Sequence, residues 1–129
     1  MSPDLDILQR KIGFKFRDLN FLKEALTHRS YLNENPSWEH DNNERLEFLG
    51  DAVVELVMTE ELFTRFPDKE EGELTIYRAG MVNTKNLASV AQEIGLPEQI
   101  LLSRGEAKSF AGRSRVSISA DAVLSLIGA

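Results

Sequence analysis

Residues 42–65 read NNERLEFLGDAVVELVMTEELFTR, and this stretch decides the fold. Leu46, Leu49, Val53, Leu56, Val57 and Leu62 recur at the three- and four-residue spacing of a helix. Pro67 lies just past its end and stops it. At 3.6 residues per turn, Glu44, Glu47 and Asp51 fall within roughly 60° of one another around the axis. Stacked like charges cost a helix roughly a few tenths of a kcal/mol per pair. A solvated acidic face, partly neutralised by Arg45, is one reading of that stripe. A cleft is the other, and two features favour it. Gly50 sits mid-helix, where it costs about 1 kcal/mol relative to Ala, which points to the close approach of another backbone. Leu46, Phe48, Leu49 and Val53 leave little polar surface around the acids. Carboxylates gathered in this way suit a hard divalent cation.

The chain around this element reads as further helices. Asp4–Ile12 carries Leu5, Ile7, Leu8 and Ile12 at helical spacing, with Gly13 as the stop. Residues 18–28 follow with Asp18 as N-cap, and residues 33–41, with Asn33, Asn35, Pro36 and Ser37, read as a loop. Residues 70–82 form another helix. Asn83 caps the next, Thr84–Ile94, which Gly95 closes. Residues 97–102 give one short turn, and the polar stretch 103–114 reads as a loop. Residues 117–129 form a last helix, apolar on nearly every side and therefore buried. No stretch alternates as a strand, so the fold class is all-α. The helix that ends on Leu126-Ile127-Gly128-Ala129 without a polar cap is expected to be a piece of a longer protein.

Composition narrows the function classes. The 129 residues fit one domain, and 42% hydrophobic content suffices for a core. No run of 18 apolar residues spans a membrane, and Asp4, Asp6, Arg10 and Lys11 exclude a signal peptide in residues 1–13. Without cysteine there is no disulfide framework and no thiolate zinc site, which fits a reducing, cytoplasmic compartment. A net charge of −6 argues against nucleic-acid binding through overall field. It leaves room for a nuclease, because bound cations reverse the sign of a carboxylate cluster locally.

The eleven residues Asn43-Glu44-Arg45-Leu46-Glu47-Phe48-Leu49-Gly50-Asp51-Ala52-Val53 closely resemble the signature of the ribonuclease III family. Three further pieces stand in the family's order: residues 26–31 (LTHRSY), 70–75 (EEGELT) and 119–129 (SADAVLSLIGA). The resemblance covers essentially the whole chain. It implies a bacterial-type endonuclease domain, an all-α multi-helix bundle forming a symmetric homodimer. Such an enzyme cuts both strands of double-stranded RNA and leaves 5′ phosphates and 3′ overhangs. By position, Glu47, Asp51 and Asp121 become the catalytic metal ligands for Mg²⁺, with Mn²⁺ able to substitute. Glu44 and Glu71 match acids of the catalytic valley near the dimer interface. Phe48 matches an aromatic knob that enters a socket on the partner subunit. The family's separate C-terminal RNA-binding domain has no counterpart in these residues.

One position departs from the pattern. The family places a Glu three residues after the aspartate of the last helix, and here Leu124 stands there. Leu124 has no oxygen to offer a metal. Ser125 and Glu55, one turn from Asp121 and Asp51, are the nearest substitutes. The expected consequence is lost or weakened cleavage, with duplex binding and dimerisation retained. This sets a catalytically silent RNA-binding or assembly module beside the active enzyme. An acidic all-α interaction domain without an RNA role is a third alternative.

Other residues fit plainer roles. His28 is expected to be a hydrogen-bonded helix-end residue rather than a general base, and Arg29 an ion-pair partner. Trp38 and Tyr77 are expected to pack, and Glu60 and Glu61 to face solvent. Residues 104–115 hold Arg104, Lys108, Arg113 and Arg115 against Glu106. For this segment an RNA phosphate contact and a solvated loop are equally good readings.

Overall fold

A computed structural model describes residues 3–129. Residues 1–2, part of the stretch that excludes a signal peptide, lie outside the described residues. Helix α1, Leu5–Ile12, starts where the Asp4 carboxylate accepts the Ile7 N–H at 3.0 Å. It ends at Gly13, whose φ of +70° lets both the Gly13 and Phe14 N–H groups reach the Gln9 carbonyl. Helix α2, Leu19–Ala25, is capped by Asp18 through the Asn20 N–H at 2.9 Å. Helix α3 spans Arg29–Glu34, α4 Glu44–Arg65 and α5 Glu71–Met81. Asn83 caps α6, Thr84–Glu93, by accepting from the Asn86 N–H at 2.9 Å. A 3-10 turn over Pro97–Gln99 leads to α7, Arg104–Lys108, and then to α8, Gly112–Gly128. Among the described residues there is no strand, so the all-α reading holds. The one β-type pairing among them is an isolated bridge between Thr27 and Leu101.

Three boundaries differ from the sequence reading. Helix α2 stops at Ala25 rather than His28, because Leu26 and His28 turn their backbones to Leu101. The Leu101 N–H donates to Leu26 at 2.8 Å, and the His28 N–H donates to Leu101 at 3.0 Å. Asn33 and Glu34 end α3 instead of opening a loop. The segment 103–114 is not a loop. Ser103 caps α7 by accepting from the Glu106 N–H at 3.1 Å, and α8 begins five residues earlier than expected. The early turns of α8 lie near the surface, so their polar residues carry no apolar period.

Helix α8 is the centre of the molecule and packs on α4 and α6. Ala122, Val123 and Leu126 join Leu8, Leu22 and Leu96 in the main core. From Ser119 to Leu126 only Asp121 escapes full burial. The crossing of α4 and α8 is built on two glycines. A Cβ on Gly50 would overlap the Leu124 carbonyl and lie 3.0 Å from the Gly128 nitrogen. A Cβ on Gly128 would overlap the Leu46 carbonyl and lie 3.1 Å from the Gly50 nitrogen. The close approach inferred from Gly50 is thus an α4–α8 backbone contact, and it brings the acids of the two helices together.

Candidate metal centre

At this crossing Glu47 of α4 meets Asp121 of α8. Glu44, Glu47 and Asp51 line one open groove of about 450 Å³, together with Phe48 and Leu124. Asp121 reaches Glu47 from α8, and the two carboxyls are hydrogen-bonded to each other. Glu47 is therefore the link, with Asp121 on one side and Glu44 and Asp51 on the other.

The electrostatics follow from crowding. Burial first, and then the Asp121 charge, push the Glu47 carboxyl up to about 7. The hydrogen bond with Asp121 and the charges of Glu44 and Asp51 act in the same direction. Burial also raises Asp121, but the bond from Glu47 and the nearby His28 hold it back. Below about pH 7 Glu47 holds a proton and donates it to the Asp121 carboxylate. Such a pair lacks positive charge. Among the described residues, the one cation paired with the stripe is Arg29, 3.5 Å from Glu44 on the exposed side.

A hard divalent cation fits this donor set in kind. Magnesium is commonly held by one or two carboxylates, with water and substrate phosphate completing its shell. Among the described residues, no three Asp, Glu, His or Cys side chains converge into a ready-made cage. Leu124, which has no oxygen to offer a cation, lines the same groove as Glu47 and Asp51. Neither substitute ligand compensates. The Ser125 hydroxyl is fully buried and donates to Ala25 at 2.9 Å and Ala122 at 3.0 Å, away from the acids. Glu55 lies exposed, 3.9 Å from Arg78.

The remaining expected residues divide. Phe48 is 82% exposed on the rim of the groove. Glu71 does not line it; it borders a separate cleft of about 730 Å³ between the end of α4 and α5, beside Phe63, Phe66 and Arg78. The basic segment is only half free. Arg104 lies 3.7 Å from Glu34, and Arg115 lies 3.2 Å from Glu98 and over the Phe110 ring. Lys108 and Arg113 have no acidic partner among the described residues. Glu34 and Glu98 are remote in sequence, so local charge counting missed both pairs. His28 caps α3, its Nδ1 accepting the Ser30 N–H at 3.2 Å, and burial pushes its pKa down. Trp38 packs on Tyr31 and donates to Thr27 at 3.1 Å, while Tyr77 packs on Phe66. Glu60 and Glu61 are exposed as expected.

Comparison with known proteins gives this arrangement a family. The model of the Ribonuclease-III-like family matches residues 18–129. The chain belongs to the ribonuclease-III-like family. It is 48% identical over 122 residues to a Ribonuclease 3 from Oleidesulfovibrio alaskensis, covering 95% of this chain and 52% of that protein. It is 50% identical over 124 residues to a Ribonuclease 3 from Clostridium tetani, again covering 52% of the relative and 96% of this chain. The chain thus spans about half the length of these ribonuclease relatives. Among solved structures, it superposes on the nuclease domain of ribonuclease III from Campylobacter jejuni with a TM-score of 0.86 and 40% identity. That match covers 97% of this chain and 82% of the other. The Campylobacter nuclease domain is described as having structural flexibility in a region involved in dimer formation.

Proposed function

We propose that this chain is a metal-dependent endonuclease domain that hydrolyses double-stranded RNA as a homodimer, leaving 5′ phosphates and 3′ overhangs. The observation that carries this reading is the meeting of Glu47 with Asp121 at the α4–α8 crossing, with Asp51 and Glu44 on the same groove. Family membership points the same way. Glu47, Asp51 and Asp121 would hold Mg²⁺ or Mn²⁺. Once bound, such an ion neutralises phosphate charge and lowers the pKa of an attacking water. The protein's own part is to hold Glu47 against Asp121 at the crossing, with Gly50 and Gly128 setting the separation of the two helices. Glu47 must also give up its shared proton before it can serve as a ligand.

Dimerisation is supported by the apolar surface of α4 and α5. Phe48, Leu56, Phe63 and Ile76 are 82%, 67%, 71% and 71% exposed, and α5 has no buried residue in the single chain. Exposed large apolar side chains gathered on two helices mark an association site. Phe48, on the rim, would enter the partner, and Glu71 would lie near the same interface. Lys108 and Arg113 are the segment's free candidates for phosphate contact.

Leu124 favours a second reading, a catalytically silent RNA-binding or assembly module on the same fold. It lines the groove and stands where the family pattern calls for a carboxylate. Cleavage of a long RNA duplex in Mg²⁺ by wild type, Leu124→Glu and Glu47→Gln separates the two. Cleavage by wild type that Glu47→Gln abolishes supports the enzyme. Cleavage by Leu124→Glu alone supports the silent module. No cleavage and no duplex binding by any of the three would overturn both.

A further inference from the structure

One cluster of unpaired positive charge stands outside the lining of the carboxylate groove. Arg10, Lys11, Lys15 and Arg17 stand within eight residues, with no acid between them. All four are exposed, and none has a carboxylate within ion-pair distance among the described residues. The segment of Arg104 to Arg115, by contrast, loses two of its four cations to Glu34 and Glu98.

Helix polarity accounts for only part of this cluster. Arg10 and Lys11 lie in the last turn of α1, where cations complement the C-terminal dipole. Lys15 and Arg17 lie beyond the helix and gain nothing from it. Phe14 stands between the two pairs and is 58% exposed, with its ring edge-on to Phe16 at 5.1 Å. It is presented by the left-handed Gly13 turn that closes α1. Arg10, Phe14 and Lys15 share a groove of about 660 Å³ with Gln9 and one carboxylate, Asp6.

Cations flanking an exposed aromatic ring are what an unpaired nucleic-acid strand requires. The cations meet its phosphates, and the ring offers a face on which a base stacks. A duplex presents phosphates but no free base face, and so leaves Phe14 unused. We propose that Arg10, Phe14, Lys15 and Arg17, with Lys11, form a surface that binds single-stranded RNA. It would be separate from the carboxylate groove and suited to an unpaired segment of an RNA substrate. The proposal rests on the RNA-directed reading given above.

The test is fluorescence anisotropy in EDTA with a labelled oligouridylate of about 12 nucleotides, a span that one such surface covers. A blunt RNA duplex and vesicles of anionic phospholipid serve as comparators. The strand is expected to bind wild type, with Phe14→Ala weakening it by about fivefold or more. A Lys11→Ala/Lys15→Ala/Arg17→Ala variant is expected to flatten the slope of log affinity against log salt by about 2, from roughly 0.7 per phosphate contact. These side chains are exposed, so circular dichroism should show both variants folded. Blunt-duplex binding should be unchanged in Phe14→Ala, which separates this result from the fate of the nuclease reading. No strand binding by wild type, variants that bind the strand as wild type does, or a cationic patch that binds only vesicles would each overturn it.

Discussion

Gly50→Ala puts the α4–α8 crossing under direct test. The added methyl group would overlap the Leu124 carbonyl and crowd the Gly128 nitrogen. Both are backbone atoms, so no rotamer change relieves the clash, and one helix must move away from the other. Overpacking of this kind costs about 1–3 kcal/mol, and a backbone-on-methyl clash belongs at the upper end. Replacing Gly in a helix interior returns about 1 kcal/mol. The net destabilisation is about 2 kcal/mol, or a Tm lower by about 6–8 °C at roughly 3–4 °C per kcal/mol for a domain of this size. Thermal unfolding followed at 222 nm measures it. Gly80→Ala on α5 is the control. A Cβ there meets nothing within 4 Å, so the propensity gain should appear alone, as a Tm unchanged or raised by a few degrees. The displaced helices should also part Glu47 from Asp121, so that Mn²⁺ stabilises Gly50→Ala less than wild type. A Gly50→Ala protein as stable as wild type would refute the close crossing and the site geometry built on it.

Two other predictions follow from the same surfaces. Glu47 has its folded pKa raised to about 7 from the 4.5 of a free Glu carboxyl. The folded state therefore holds the proton more tightly than the unfolded chain. The metal-free protein should lose stability as pH rises from about 4.5 to 7, and Glu47→Gln should flatten that dependence in a pH series of melts. Stabilisation by Mg²⁺ should run the opposite way, growing as pH rises through 7 and the proton leaves. For the association surface, Phe48→Ala should leave the fold intact, because the ring is 82% exposed in the single chain. It should shift the monomer–dimer equilibrium towards monomer by at least tenfold, a change that sedimentation velocity over a concentration series reads.

Much of this architecture was legible in residues 42–65. The acid stripe, the helical period and the mid-helix glycine together foretold a helix that meets another backbone beside its carboxylates. Asp18 and Asn83 announced two helix starts because capping is local chemistry. What stayed hidden depends on residues far apart in the chain. The early end of α2 is set by the Leu101 backbone, 75 residues on from Leu26. The partners of Arg104 and Arg115 come from α3 and the 3-10 turn, so a local charge count overstated the basic segment. Helix α7 is five residues long and polar, too short to show a period. The direction of Ser125 was equally unreadable. One turn from Asp121, it faces the Ala25 carbonyl instead of the groove.

The most direct test of the carboxylate site is diffraction from crystals soaked in Mn²⁺ at pH 8, with an anomalous map. Wild type should show density in contact with Glu47 and Asp121, on the groove that Asp51 lines, and Asp51→Asn should weaken it. Leu124→Glu should raise the occupancy at the same position. A map with no peak at the α4–α8 crossing in either protein, or with manganese bound only elsewhere, would contradict the assignment of these acids to a metal.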